Sequence, residues 1–284
     1  MRLALFILLL VGCFKIKAAT VSDTLFIKGD SLVTVGNVSI PYLTFNTTAT
    51  FGQSNPVLSL VAGDSLDLTI INMDTAAHIF SIDGMVTSSL MLADDTVHVG
   101  ALFPAEGVYQ YHGIVDFPRY SHCGLGGMIV VKNHSHPSFY WNLKTHQTGL
   151  NDLALAGTAI DWTTYTPDYY TINGNSYPDI NGDADARITG NTGDTIYLYI
   201  TNTGQSVHSL HFHGYHGEIV FSSKTNLQLG WIKDTFPIYN RESLIIRIVP
   251  DKPEEYPIHD HNLVAVSGNG LYPNGMLTTI LINP

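Results

Sequence analysis

The sequence predicts an all-β protein made of two β-sandwich domains in tandem. Only 13% of residues are charged, and Gly and Tyr are abundant, a composition that favours strands and turns over helices. An internal repeat supports two units of one plan, because residues 63–72 and 193–202 both open with a Gly-Asp turn and continue as an alternating strand. The ends of the halves also match, residues 109–114 with 256–261, so each half is expected to fold as one sandwich.

The first element along the chain is an export signal. Arg2 is followed by an apolar run at residues 3–11, which is too short for a permanent membrane-spanning helix. Two processing alternatives stay open: cleavage before Cys13 with lipidation of that residue, or cleavage near Ala18 or Ala19. The chain is therefore expected to be exported, and to be periplasmic, a cell-surface lipoprotein or secreted.

The domain boundaries follow from the repeat. We expect a signal at residues 1–19, a first domain at 20–137, a linker at 138–165 and a second domain at 166–284. Each domain closes with an apolar strand before its end. Within the linker, the sequence is compatible with either a strand or a short helix near residues 150–159.

Charge and cysteine content exclude several classes of protein. The formal net charge is −11 with only 13 Lys and Arg residues, so no basic surface for nucleic acid is expected. Two cysteines, Cys13 and Cys123, do not make a disulfide scaffold. The sequence has no G-x-S-x-G elbow, phosphate-binding loop or C-x-x-C pair.

A histidine pattern carries the strongest functional signal. His211 and His213 are two residues apart, as are His259 and His261, and side chains two apart share one face of a strand. If the two strands are neighbours, four imidazoles converge on one point. Neutral imidazole is a preferred ligand of copper, zinc and iron, so the pattern predicts a metal site.

These segments resemble the signatures of the multicopper oxidase family, which is built from cupredoxin domains. Residues 208–214, HSLHFHG, are similar to H-P-x-H-L-H-G, and residues 256–261, YPIHDH, to Y-x-x-H-C-H. Residues 168–174 resemble the opening of a family domain, and residues 111–127 the matching region of ceruloplasmin-type domains. The resemblance covers nearly the whole mature chain, and two domains are typical of two-domain laccases and copper nitrite reductases.

The resemblance implies a copper protein with a small-molecule substrate, oxygen or an oxyanion, and a homotrimeric assembly. The four histidines of the second domain match ligands of the family's trinuclear copper cluster, and His208 matches a ligand of its mononuclear blue copper site. In the first domain, His112 is the clear cluster-type histidine. The rest of such a cluster would come from a neighbouring subunit or from the same chain.

Several positions depart from the family pattern. The thiolate ligand of the blue, or type 1, copper is replaced by Asp260 in the second domain and by Gly113 in the first. The second domain keeps His208 and an axial candidate, Met276, but has Ala265 in place of the second histidine. Both type 1 sites are therefore expected to be degenerate, with Asp260 either bonded to His208 or acting as a ligand itself.

The first domain departs further. Ser81 and Asp83 occupy the positions of His211 and His213, and Ile114 occupies that of His261, which leaves Asp83 as a candidate carboxylate ligand. His78 keeps the mononuclear position without its thiolate. The five retained cluster-type histidines are expected to hold one copper, or two at most.

The other candidate residues give weaker signals. Cys123 comes ten residues after the expected thiolate position and is expected to be a buried or free thiol. His122 is interpreted as a loop residue rather than a ligand. The remaining histidines of the linker region, His134, His136 and His146, are expected to be solvated.

Three functions follow from these observations. The first is an oxidoreductase with a reduced, histidine-ligated copper site. The second is a non-catalytic copper binder that sequesters or transfers the metal. The third is a structural β-sandwich whose histidines are relics. Zinc is the alternative metal, because imidazole and carboxylate also suit it.

Overall fold

The computed structural model describes residues 18–33 and 38–284. The predicted export signal at residues 3–11 and the lipidation candidate Cys13 lie outside the described residues. In the part of the chain that the structure describes, no helix is long and apolar enough to cross a membrane.

The first domain is formed by strands that belong to two sheets, with one short helix before the last strand. In chain order its elements are β1 (Thr20–Val33), β2 (Ser39–Asn46), β3 (Val57–Leu60), β4 (Ser65–Asn72), β5 (Phe80–Ile82), β6 (Val86–Thr87), β7 (Thr96–Leu102), β8 (Gly107–Gly113), α1 (Arg119–His122) and β9 (Gly126–Val131).

The second domain has the same general plan. In chain order its elements are β10 (Ser138–His146), α2 (Leu150–Leu155), β11 (Tyr169–Ile172), β12 (Ile188–Asn191), β13 (Ile196–Asn202), β14 (His208–Phe212), β15 (Gly217–Ser222), β16 (Ile232–Lys233), β17 (Thr235–Ile238), β18 (Ser243–Ile248), β19 (Glu254–Asp260) and β20 (Leu277–Asn283). Short 3-10 helices lie at Trp162–Thr164, Asp179–Gly182 and Leu263–Val266.

The sheet topology confirms the predicted fold class. One sheet of the first domain has the order β2-β1-β4-β7, and its counterpart in the second domain has the order β11-β10-β13-β18-β15-β16. The other two sheets have the orders β3-β9-β8-β5-β6 and β12-β20-β19-β14-β17. The parallel pair β1–β4 is repeated by β10–β13, so the sequence repeat corresponds to two copies of one sandwich topology.

The predicted linker at residues 138–165 needs correction at its start. Strand β10 is hydrogen-bonded to β11 on one side and to β13 on the other, so it belongs to a sheet of the second domain. The boundary drawn from the repeat left this strand out of the second domain, and its polar residues Asn142 and Lys144 make hydrogen bonds to the first domain. The segment that was compatible with a strand or a helix contains the short helix α2.

Alternating apolar side chains build each core. On β4, Leu66, Leu68 and Ile70 are buried while the residues between them are more exposed. Ile196 and Leu198 of β13 are fully buried in the second core. Burying each such side chain contributes about 1.5–3 kcal/mol, which explains why the period of two in the sequence decides the fold class.

The two domains pack through the second sheet of the first domain and the first sheet of the second domain. Val108, Met128 and Val130 share a cluster with Tyr199 and Ile245 across the boundary. Two buried amide side chains reinforce the contact: Gln110 donates to the Glu242 carbonyl at 3.0 Å, and Asn142 donates to the Gly126 carbonyl at 2.7 Å.

A lysine is buried at this domain boundary. Lys144 of β10 is 2% exposed, and its Nζ donates to Thr203 Oγ1 at 2.6 Å and to the Ser121 carbonyl at 3.5 Å. Burial lowers the pKa of Lys144 to about 7, because a charged ammonium loses its hydration there. The unfolded chain therefore binds the Lys144 proton more tightly than the folded chain does.

We expect the stability of the protein to rise by about 1–2 kcal/mol between pH 7 and pH 8.5. In this range the unfolded state keeps the Lys144 proton and the folded state loses it, so unfolding becomes less favourable as the pH rises. Urea unfolding at several pH values measures the slope. The Lys144→Met variant should be more stable at pH 7 and should lack this slope, whereas the exposed-site control Lys252→Met should keep it. An unchanged slope in Lys144→Met would refute this account.

Candidate metal centre

The register of β14 against β19 brings the predicted histidines together. The strands are antiparallel, and His211 lies directly opposite His259. The pairing continues beyond the strand ends, because the His213 amide donates to the Pro257 carbonyl and the His261 amide donates to the Ser209 carbonyl. Opposed residues share a face, and so do residues two apart, so all four side chains lie on one face.

The four rings form a cluster, which we call the histidine quartet (His211, His213, His259 and His261). The ring centroid of His211 lies 4.6 Å from that of His213, 5.6 Å from that of His259 and 5.4 Å from that of His261. The centroids of His213 and His259 are 5.1 Å apart. His213 and His261 are exposed and the other two half-buried, so the quartet opens to solvent.

Hydrogen bonds determine which ring nitrogen of His211 and of His259 is protonated and which carries a lone pair. The Thr235 hydroxyl donates to Asp234 Oδ1 at 3.0 Å and so accepts from His211 Nδ1 at 2.9 Å. His259 Nδ1 donates to the Asp260 carbonyl at 2.8 Å. Both rings therefore carry a proton on Nδ1 and present Nε2 as a lone pair, an arrangement typical of metal-binding histidines.

No pattern in the sequence pointed to the supporting pair Thr235 and Asp234. They lie on or next to β17, which pairs with β14 so that Thr235 is opposite His211. The hydrogen bond from the Thr235 hydroxyl lowers the pKa of the Asp234 carboxyl, which therefore stays ionised. Only the pairing of β17 with β14, which joins residues 24 positions apart, could have revealed this contact.

Two rings of the quartet are hydrogen-bonded to each other. His213 Nε2 and His259 Nε2 are 3.0 Å apart. Within residues 18–33 and 38–284, no group of three or more His, Cys, Asp or Glu side chains is arranged to hold a metal ion as it stands. Two imidazole nitrogens about 2 Å from one ion at a right angle are roughly 3 Å apart, which is close to the distance between these two atoms.

Proximity disfavours a positive charge on His213. The pKa of His213 is lowered, first by partial loss of hydration and then by the neighbouring His211 and His259 rings. The same crowding favours the neutral imidazole, which is the form that binds metals.

The opposite face of the same strands carries the position of the type 1 site. His208 and Asp260 are 1% and 0% exposed, and His208 Nδ1 is 2.6 Å from Asp260 Oδ2. Asp260 Oδ1 accepts from the backbone amides of Ser209 at 3.2 Å and Asn262 at 2.9 Å. Of the two alternatives for Asp260, the structure shows the hydrogen bond to His208.

The other type 1 positions lie beside this pair but add no donor in place of the missing histidine. Met276 is buried, and its carbonyl accepts from the Asp260 amide at 3.2 Å. Ala265 is fully buried in the core of the second domain. His208 Nε2 is buried without a hydrogen-bond partner. The region is therefore a closed His–Asp pair in an apolar core.

In the first domain, the equivalent histidine is also bonded to a carboxylate. His78 is 1% exposed, its Nε2 lies 2.8 Å from Asp74 Oδ2, and its ring packs edge-on against Tyr120 with centroids 4.6 Å apart. At the position of the thiolate, a Cβ on Gly113 would lie 3.1 Å from a Leu125 methyl group. Packing therefore fills the place where a copper would bind.

The structure does not bring His112 to the quartet within one chain. His112 is 3% exposed, and its Nε2 lies 3.4 Å from Asp83 Oδ1. Arg241 of the second domain donates to the same Asp83 oxygen at 2.7 Å, so the candidate carboxylate ligand takes part in a bridge between the domains. Burial lowers the pKa of His112, Asp83 opposes this effect, and Arg241 adds to it.

Four weaker candidates lie near the domain boundary. Cys123 is a buried free thiol, as expected. His122 ends helix α1 and is buried, and His146, which was expected to be solvated, is fully buried at the end of β10. The prediction for His146 is wrong because the residue belongs to a strand that is covered by the first domain. His134 is half-buried and stacks on Tyr197 with centroids 4.1 Å apart.

Comparison with known proteins agrees with this architecture. The family model described as "Multicopper oxidase" matches residues 155–274. A blue copper oxidase from Nitrosomonas europaea superposes with a TM-score of 0.80 at 23% identity, over 93% of this chain and 86% of that chain. The multicopper oxidase mgLAC superposes with a TM-score of 0.80 at 18% identity, over the same shares of the two chains.

A copper nitrite reductase from the same organism superposes with a TM-score of 0.73 at 16% identity, over 93% of this chain and 94% of that chain. No curated protein sequence matches the chain. The chain thus has the two-domain cupredoxin fold of these copper proteins.

We expect the Asp260→Asn variant to be destabilised by about 2 kcal/mol, because it weakens the buried hydrogen bond to His208 and leaves that ring without a carboxylate partner. Chemical denaturation compares the midpoint with that of the wild type. Asp251→Asn, at an exposed carboxylate of the same domain, serves as the control and should unfold within about 0.5 kcal/mol of the wild type. Equal stability of the two variants would contradict a structural role for the His208–Asp260 pair.

Proposed function

We propose that this chain, which has the two-domain cupredoxin fold and whose residues 155–274 match the multicopper oxidase family, binds copper through the histidine quartet. The proposed activity is that of a copper-dependent oxidoreductase with a reduced, histidine-ligated site and no type 1 thiolate. The observation that carries the proposal is the convergence of four imidazoles on one face of the β14–β19 pair.

The supporting hydrogen bonds suit metal binding. Thr235 and the Asp260 carbonyl hold the Nδ1 protons of His211 and His259, so the Nε2 atoms keep the same orientation whether or not an ion is present. Because the two rings lie on directly paired strand positions, their spacing is set by backbone hydrogen bonds. Such a preorganised donor set loses little conformational entropy when it binds an ion.

Copper is the metal that the donor set and the family favour together. Imidazole binds copper and zinc alike, and copper forms the stronger complexes in the usual order of divalent ions. Bound copper supplies a one-electron redox centre and a Lewis acid. The chain's residues supply the rest: His213 and His261 lie on the exposed side and leave room for oxygen, an oxyanion or another small substrate beside the ion.

Electrons for such a centre have to come from outside the chain. In the family pattern a cysteine between two histidines connects the mononuclear site with the cluster, and here Asp260 stands at that position in a hydrogen bond with His208. A carboxylate that is bonded to an imidazole offers no thiolate path. We therefore propose an external reductant that approaches the exposed side of the quartet.

Assembly and location are parts of the same proposal. The apolar N-terminal run supports export, to the periplasm, the cell surface or the medium. A homotrimer is the assembly that the family resemblance implies. Static light scattering of the processed chain tests it, and a monomer would remove the trimer from the proposal without affecting copper binding by the quartet.

A second candidate function is copper sequestration or transfer without catalysis. The open position of the quartet favours this function, because exposed rings exchange an ion with a partner more easily than a buried site does. The loss of both thiolates favours it as well. The two functions require the same copper site and differ in turnover.

We expect the His211→Ala/His213→Ala double variant to bind copper at the quartet more weakly by at least about 100-fold, because it removes half of the donor set. Competition with a chromophoric copper chelator measures the affinity. His98→Ala is the matched control, since His98 is an exposed strand histidine of the first domain that contacts Thr69. If the double variant keeps the wild-type affinity, copper binding at the quartet is refuted.

The copper-loaded protein is expected to turn over an external reductant with oxygen or nitrite, and the double variant should lose this activity. The assay follows the oxidation of phenols and of cuprous ion, and the reduction of nitrite, under steady-state conditions. Tight copper binding without turnover for any of these substrates would favour sequestration over catalysis. Equal turnover by wild type and double variant would place the chemistry away from the quartet.

A further inference from the structure

Two buried histidines at the junction of the domains have no hydrogen-bond partner. His122 of α1 is 1% exposed and His146 of β10 is 0% exposed, and both nitrogens of each ring lack a partner. Buried polar atoms in folded proteins are nearly always hydrogen-bonded. Four unpartnered nitrogens in two adjacent rings therefore indicate that the junction holds something in addition to protein atoms.

The two rings are neighbours inside an aromatic enclosure, tilted by 59° to one another. Their centroids are 5.9 Å apart. Trp162 and Tyr165 each pack edge-on against His122 with centroids at 5.1 Å, and Tyr42 packs edge-on against His146 at 5.3 Å. These side chains separate the histidine pair from solvent, so the junction is unlike the open quartet.

A third donor lies beside both rings. Asn151 of α2 donates from Nδ2 to the Pro41 carbonyl at 2.8 Å, which fixes the orientation of its amide. Its Oδ1 is buried without a partner. Helix α2, which carries Asn151, packs against helix α1, which carries His122. The unpartnered acceptor favours an electron-poor occupant over an anion.

A charged imidazolium in this closed space would be unpaired, because neither ring has a hydrogen-bond partner. The neutral form, which keeps one nitrogen lone pair on each ring, is therefore the one that the junction accommodates. Two lone pairs and an amide oxygen form a neutral donor set in a closed apolar space.

We propose that His122 and His146, with Asn151 Oδ1, hold one cuprous ion at the junction of the two domains. Two imidazoles on opposite sides of one ion, each with a nitrogen about 2 Å from it, have ring centres roughly 6 Å apart. The observed separation of 5.9 Å matches this arrangement. The site shares no residue with the quartet and does not depend on the function proposed for it.

The charge of the surroundings selects a monovalent ion. The donors are neutral, and the nearest ionisable cation, Lys144, is fully buried and directs its Nζ to Thr203 Oγ1 at 2.6 Å. A divalent ion in this closed space would lose much more hydration energy than a monovalent one and would gain no carboxylate. Cuprous copper accepts low coordination numbers and nitrogen donors, and its single charge is repelled less by Lys144 than a divalent ion would be.

The thiol next to His122 is not required as a ligand. Cys123 is buried and forms no disulfide. The Cys123→Ser variant accordingly distinguishes a histidine pair from a thiolate site, because the histidine pair should keep its ion.

The test counts copper in a variant that lacks the quartet, His211→Ala/His213→Ala/His259→Ala. This variant changes only residues that are exposed or half-buried, so the junction stays intact. The protein is produced in copper-supplemented cells, purified without oxygen and treated with a cuprous chelator before elemental analysis. We expect about one copper per chain to remain, because both ring histidines are shielded from the chelator.

Adding His146→Gln to this background should reduce the retained copper to below about one tenth per chain, whereas adding His136→Gln, at an exposed histidine, should leave it unchanged. X-ray absorption of the quartet-free protein should show a cuprous edge with imidazole scattering and two or three light ligands. The X-ray absorption spectrum shows whether the junction holds a cuprous ion even if the His146 variant fails to fold. A folded quartet-free protein that retains no copper would show that the junction holds water only and would overturn the proposal.

Discussion

The pairing of β14 with β19 is the constraint on which the candidate site depends. Because His211 is opposite His259, His213 and His261 lie at the diagonal positions of the same face. A shift by one residue would turn two of the four rings toward the core and separate them from the others. The apolar residues that alternate with the histidines, Leu210 and Phe212, are buried and hold this register. Core packing and site geometry are thus two consequences of one strand pairing.

The two faces of the β14–β19 pair differ in their side chains and in their exposure to solvent. On the outer face the histidines that match cluster ligands are retained, and the contacts to Thr235 and to the Asp260 carbonyl orient them. On the inner face Asp260 replaces the thiolate and bonds to His208, which is hidden from solvent. The same residue therefore supports the quartet through its carbonyl and closes the type 1 position through its carboxylate. The two faces therefore differ in accessibility, because the quartet is open to solvent and the His208–Asp260 pair is buried.

The first domain uses the equivalent positions for packing instead of chemistry. Asp83 and His112 lie in a bridge to Arg241 of the second domain, and His78 is bonded to Asp74. The polar face of β10 is likewise buried against the first domain, where Asn142 makes a hydrogen bond across the boundary. The domain junction is consequently more polar than either core. The buried Lys144 and the unpartnered pair His122 and His146 lie at this junction, and none of the three belongs to the cluster-type motifs.

The sequence by itself determined the fold class, the repeat and the quartet, because a period of two along a strand and the repeated Gly-Asp turns are local properties of the chain. The missing thiolates were likewise evident from single positions. Only the tertiary structure decided that β10 belongs to a sheet, that Thr235 orients His211, and that His146 is buried. These outcomes depend on which strands become neighbours and on how one domain covers another. Hydrogen bonds between strands and burial at a domain boundary join residues far apart in the chain, so no local pattern records them.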